Sequence, residues 1–98
     1  MTTEKAVEPR GLIADAREAV ARFLRESLSD VYRVNVVRLL PTETDNVAWE
    51  AEAIVWQPNG MLQALGLVTQ RPVLDQETYL VRLDQRLNVV SYGIKEEE

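Results

Sequence analysis

The sequence contains neither cysteine nor histidine. Without cysteine there is no disulfide framework, no thiolate nucleophile and no iron–sulfur or cysteine–zinc site. Without histidine, the commonest general base and the commonest metal ligand are missing too. Glycine is sparse, and the four at positions 11, 60, 66 and 93 stand alone, so no phosphate-cradling loop or dinucleotide fingerprint is present. No apolar run approaches the roughly 18 residues that cross a bilayer. Met1 to Arg10 is polar and charged, which is not the basic-then-apolar pattern of a secretory signal. Positive charge is also short: eleven Lys and Arg, scattered, face sixteen Asp and Glu, for a net charge of −5. Nucleic acid and anionic membranes attract basic stripes, so both are poor partners. A cytoplasmic protein with no membrane span is expected.

What is present describes one small folded domain. Hydrophobic residues make up 46% and charged residues 28% of 98 positions, an ordinary globular balance for a chain long enough for a single core. Residues 1–10 read as a flexible lead-in, 11–94 as the α+β domain and 95–98 as an acidic tail. The first element is an amphipathic helix over about 12–28. Leu12, Ile13, Ala16, Val20, Phe23, Leu24 and Leu28 recur at three- and four-residue spacing and form one stripe. Phe23, the bulkiest of them, is expected to anchor it. Asp15, Arg17, Glu18, Arg22, Arg25 and Glu26 lie mostly opposite, with Glu18 and Arg22 a favourable i,i+4 pair.

After Asp30 the period changes to two. Residues 31–40 read as a strand with Tyr32, Val34 and Val36 on one face, and the alternation slips at Val36–Val37, which signals a bulge. Residues 41–46 read as a polar loop. Residues 47–57 form the next strand, with Val47, Trp49, Ala51, Ala53 and Val55 alternating against Glu50 and Glu52. Pro58-Asn59-Gly60 is a turn, and 61–70 is read as the returning strand, with a helix as the alternative for its first half. Arg71-Pro72 breaks it. Strands over 77–83 and 87–94 follow, joined by a turn at Asp84-Gln85-Arg86. The predicted fold is one N-terminal amphipathic helix packed on a curved antiparallel meander of four to five strands, cystatin-like in outline. Leu74-Asp75-Gln76 and Leu83-Asp84-Gln85 repeat a triplet, expected at strand ends rather than as a structural repeat unit.

Candidate chemistry is thin. Ser91 and Lys95 are the nearest approach to a Ser-Lys dyad. Glu50 with Glu52, and Asp75 with Glu77, are carboxylate pairs that need an enclosed pocket before they do acid–base work, and a thin domain offers them a solvated face instead. Glu43 and Asp45 lack the spacing of a calcium loop. Neither catalysis, metal nor cofactor is therefore expected. Trp49 and Trp56 are an odd number apart, so they lie on opposite faces of one strand. One belongs to the core, and the other must meet solvent or a partner.

The stretch Tyr79-Leu80-Val81-Arg82-Leu83-Asp84, followed by Val89-Val90-Ser91-Tyr92, resembles the gas vesicle protein O (GvpO) family. Trp49-Glu50-Ala51-Glu52 and the Arg71-Pro72 break resemble its upstream features, although the turn after Asp84 has no glycine. The resemblance implies a non-catalytic accessory protein of gas vesicle formation, in the cytoplasm or on the vesicle, that binds other gas vesicle proteins. Trp49, Trp56, Arg71, Tyr79 and Tyr92 are the interface candidates. The residues alone leave open self-association, a small-molecule-binding cone and a generic regulatory subunit.

Overall fold

A computed structural model describes residues 9–59, 65–66 and 73–96. Helix α1 spans Pro9–Ser27, and among the described residues four strands follow: β1 Arg33–Thr44, β2 Val47–Pro58, β3 Leu74–Leu83 and β4 Val89–Ile94. They form one antiparallel sheet in the order β1-β2-β3-β4, so the expected α+β meander is what the chain adopts. The helix begins two residues inside the expected lead-in. Proline suits this position, because its missing N–H would have had no helical partner there. At the far end Leu28 N–H still bonds to the Leu24 carbonyl at 3.0 Å, and Asp30 turns the chain at φ 54°, a left-handed conformation that Asp tolerates better than most residues.

The core lies between α1 and one face of the sheet. Ala16, Val20 and Leu24 from the helix are fully buried, as are Ala51, Ala53, Val55, Val81 and Leu83; Val36 and Tyr79 are nearly so. The stripe therefore works, with two corrections. Leu24 rather than Phe23 is the anchor, since Phe23 is only partly buried at the core margin. Leu12 and Ile13, at 40% and 41% exposure, lie outside the packed patch.

The predicted bulge is present: Val36 pairs with Ala53 and Arg38 with Glu52, leaving Val37 unmatched. Its consequence is a change of parity. Val34 and Val36 face the core before it and Leu39 after it, while Arg38 emerges on the opposite face to meet Glu52. Tyr32, expected to share the face of Val34 and Val36, precedes the strand and is 60% exposed.

Three boundaries depart from expectation. Pro41 to Thr44 continues β1 instead of looping, and only Asp45-Asn46 turn. Pro41 is tolerated because β1 is an edge strand, where a missing N–H costs no ladder bond. Asn46 takes the positive φ of 60°, and Thr42 Oγ1 donates to the Val47 carbonyl at 2.7 Å. Secondly, β2 pairs directly with 74–83, from Trp49↔Leu83 to Pro58↔Leu74, and Asn59 N–H extends the ladder to Val73 at 2.8 Å. The strand returning along β2 is thus β3, three residues longer than expected; most of 61–70 lies outside the described residues, as does Arg71. Lastly, β4 begins at Val89 rather than Leu87 and ends at Ile94 as expected, with the Lys95 N–H just beyond it still bonding the Thr78 carbonyl at 2.8 Å.

The repeated triplets do sit at the two ends of β3. The turn after it closes a three-residue loop. Leu87 N–H bonds the Asp84 carbonyl at 3.0 Å, Asp84 N–H bonds Asn88, and Leu87 has φ 67°. This is a type I turn followed by a left-handed residue, the place glycine usually fills. Leucine is strained there by about 1–2 kcal/mol. Two bonds from the Arg86 and Asn88 N–H groups to Asp84 Oδ1, at 2.9 and 3.0 Å, hold the loop, while the Leu87 side chain packs against the core.

Leu24→Ala should cost about 2–5 kcal/mol in urea unfolding, because a fully buried leucine leaves a cavity. Arg22→Ala should cost under about 0.5 kcal/mol, since its 3.4 Å pair with Glu18 is exposed on both sides. Equal effects would mean that the helix does not pack through this stripe.

Candidate interaction surface

Strand alternation divides β2 between two environments. Trp49, Ala51, Ala53 and Val55 point toward α1; Glu50, Glu52, Ile54 and Trp56 point to the face the helix does not cover. Cross-strand register builds that outer face in rows. Leu40, Glu50, Arg82 and Ser91 make the first, and Arg38, Glu52, Leu80 and Gly93 the second. Asn35, Ile54 and Thr78 make the third, and Arg33, Trp56 and Gln76 the last.

The first two rows are ionic. Arg82 Nε and Nη2 both lie 3.0 Å from Glu50 Oε2. Glu52 is held from two sides, by Arg38 at 3.6 Å and by Lys95 at 3.2 Å, and its side chain is only 18% exposed. The Glu50–Glu52 pair is thus two carboxylates each matched to its own cations across strands. Ser91 and Lys95 are four residues apart on a strand, about 13 Å, and Lys95 Nζ reaches Glu52 instead. The structure does not bring that dyad together. Among the described residues, no three His, Cys, Asp or Glu side chains gather as a metal site, and no helix is long and apolar enough to cross a membrane.

At the other end the face turns aromatic. The Arg33 guanidinium sits 5.2 Å from the centre of the Trp56 ring, a cation–π pair between directly opposed residues. Trp56 is half-buried, flanked by Ile54 on its own strand. Trp49 packs against the core on the opposite face, as odd spacing requires.

The remaining candidates separate. Tyr79 is buried in the core, so it packs rather than offering free surface. Tyr92 lies on the helix side of β4 at 47% exposure, with its ring 4.8 Å from Phe23 edge-on and 6.5 Å from Tyr79. Sequence reasoning missed Arg33 as a partner of Trp56, because opposition across β1 and β2 depends on a register set by the bulge and the turn.

No family model matches the chain, and neither does any curated protein or solved structure.

Two outcomes test this geometry. Glu52→Ala should cost about 1 kcal/mol at low salt and less in about 1 M salt, because partly exposed pairs are screened. A salt-independent loss would mean that Glu52 acts through packing. Burial raises the Tyr79 phenol above its ordinary value, with the negative charge of Glu77 adding and Tyr92 contributing least. The folded state thus holds this proton longer than the unfolded one. Its contribution to stability is complete below pH about 10 and is lost as pH rises through the folded value. Tyr79→Phe should flatten that alkaline decline relative to the parent in a stability–pH series.

Proposed function

We propose that this chain is a non-catalytic accessory protein that acts by binding other proteins, and that its setting is gas vesicle formation. The observation that carries the binding half is the helix-free face, where Trp56 lies beneath Arg33 beside Ile54. Trp and Arg are the residues that most often dominate binding energy at protein interfaces. An aromatic on the exposed side of a sheet has no packing role in a two-layer domain that already has its core on the other side.

The gas vesicle setting rests on the resemblance of Tyr79 to Asp84 and Val89 to Tyr92, together with Trp49 to Glu52. Those segments correspond to the second half of β3 with the residue after it, the first four residues of β4 and the first half of β2, and they meet on adjacent strands. The reading as a cone for a small molecule would call for polar groups inside the sheet. Among the described residues no polar or charged side chain is buried, and the inward positions are Val, Ala, Leu and Tyr, which favours the accessory-protein reading.

Trp56→Ala should leave the unfolding transition close to that of the parent. The same change should abolish co-purification of the tagged protein with vesicle proteins and reduce vesicle number in a gas vesicle host. Truncation of such an aromatic costs about 2 kcal/mol or more in binding. A folded Trp56→Ala variant that keeps every partner would overturn the assignment of this face.

A further inference from the structure

The two edges of the sheet are built differently. The β1 edge is obstructed: Pro41 has no N–H, the register slips at Val37 and again between Pro41 and Thr44, and Arg17 Nη1 donates to the Val36 carbonyl at 2.8 Å. Such devices keep a free edge from pairing with another strand. The β4 edge has neither proline nor charge from Leu87 through Ile94, and its one bulge, at Val90, falls near the turn. Lys95 N–H points into the sheet toward Thr78. By alternation, the backbone N–H and C=O groups of Ile94 and Tyr92 point outward, away from β3. Val90, Tyr92 and Ile94 are 44%, 47% and 54% exposed along this edge.

We propose that β4 pairs antiparallel with β4 of a second copy of this chain, centred on Tyr92, to make one continuous eight-stranded sheet. The strand is self-complementary about that residue. Tyr92 exchanges both backbone bonds with its own copy, and Ile94 falls opposite Val90. Small residues, Ser91 and Gly93, meet on the outer face. On the helix side the two Tyr92 rings come together, each already braced by Phe23. Charge selects the antiparallel arrangement. In this register Glu96 falls opposite Asn88 of the partner, one diagonal position from Arg86. A parallel pairing would lay two acidic ends side by side, in a chain already at −5. With the β1 edge obstructed, assembly closes at two copies instead of running on. A stable interface buries roughly 1,200 Å² or more. A five-residue ladder with three half-exposed side chains per copy falls below that, so the dimer is concentration-dependent.

Sedimentation of the purified full chain from about 1 μM to about 1 mM tests it. The parent should pass from monomer to dimer across that range. Ile94→Lys and, independently, Val90→Lys should each weaken the dimer on the order of tenfold or more, with folding checked by circular dichroism. Val37→Lys on the β1 edge should leave it unchanged. In this cysteine-free chain, Tyr92→Cys should cross-link to itself on mild oxidation, because paired Cα atoms about 5.5 Å apart suit a disulfide; Val37→Cys should not. A parent that stays monomeric throughout overturns the proposal, and so does a dimer lost in Val37→Lys but kept in both β4 variants. A monomer that loses vesicle partners on Ile94→Lys would assign the edge to a foreign strand instead, and would also overturn it. The proposal does not depend on the role of Trp56: Trp56→Ala should dimerise like the parent.

Discussion

Everything in this small domain depends on one contact, where Ala16, Val20 and Leu24 of α1 meet the patch formed by Ala51, Ala53 and Val55. Four residues of helix advance about 6 Å, and two residues of strand advance about 6.7 Å. The two repeats are close enough for three successive side chains on each element to share one patch. Most of those side chains are small, so the helix can approach the sheet closely. Larger groups then seal the margin of the cluster, Phe23, Trp49, Leu39 and Val89 among them.

Because one face of the sheet is committed to that contact, the other carries the remaining polarity of β2 and whatever recognition the sheet offers. Glu50 and Glu52 would repel each other on a bare strand. Cations from β1, β3 and the end of β4 surround them, so the ionic rows tie all four strands together across the helix-free face. That lattice ends where Ile54 and Trp56 begin, and the surface changes from self-satisfied to available within four residues of one strand.

The helix, the Trp strand, the closing strands and the bulge at Val37 were legible because each rests on a local period or a break in one. What was not legible depends on partners distant in sequence. Pro41 to Thr44 look like a loop by composition, and they become strand only because β2 offers a register that a proline on an edge does not disturb. Asp75 and Gln76 have little strand preference of their own, yet Gln57 and Trp56 pair with them. Phe23 outranks Leu24 in size, but the helix rotation is set by which side faces Ala51 and Ala53. Leu87 occupies a glycine-like conformation because Asp84 and the core hold it there. Of the surface, the odd spacing of Trp49 and Trp56 was enough to separate the two faces. The Arg33–Trp56 pairing needed the register.

The edge and the face are separate features with a joint consequence. A two-fold axis through Tyr92 stands perpendicular to the sheet, so both helices fall on one side and both Trp56 surfaces on the other. Five strand spacings and some ten residues of offset put the two Trp56 rings on the order of 40 Å apart, neglecting twist. A partner displaying repeated copies of one epitope would then be gripped at two points. The second contact would be made at the effective concentration set by that rigid span, not at the bulk concentration. Weak pairing at β4 would suffice for this, because a repetitive partner holding two copies side by side would itself favour the dimer by mass action. An edge left open but uncharged, beside a face left partly apolar, is consistent with a domain whose affinity comes from assembly rather than from one large interface.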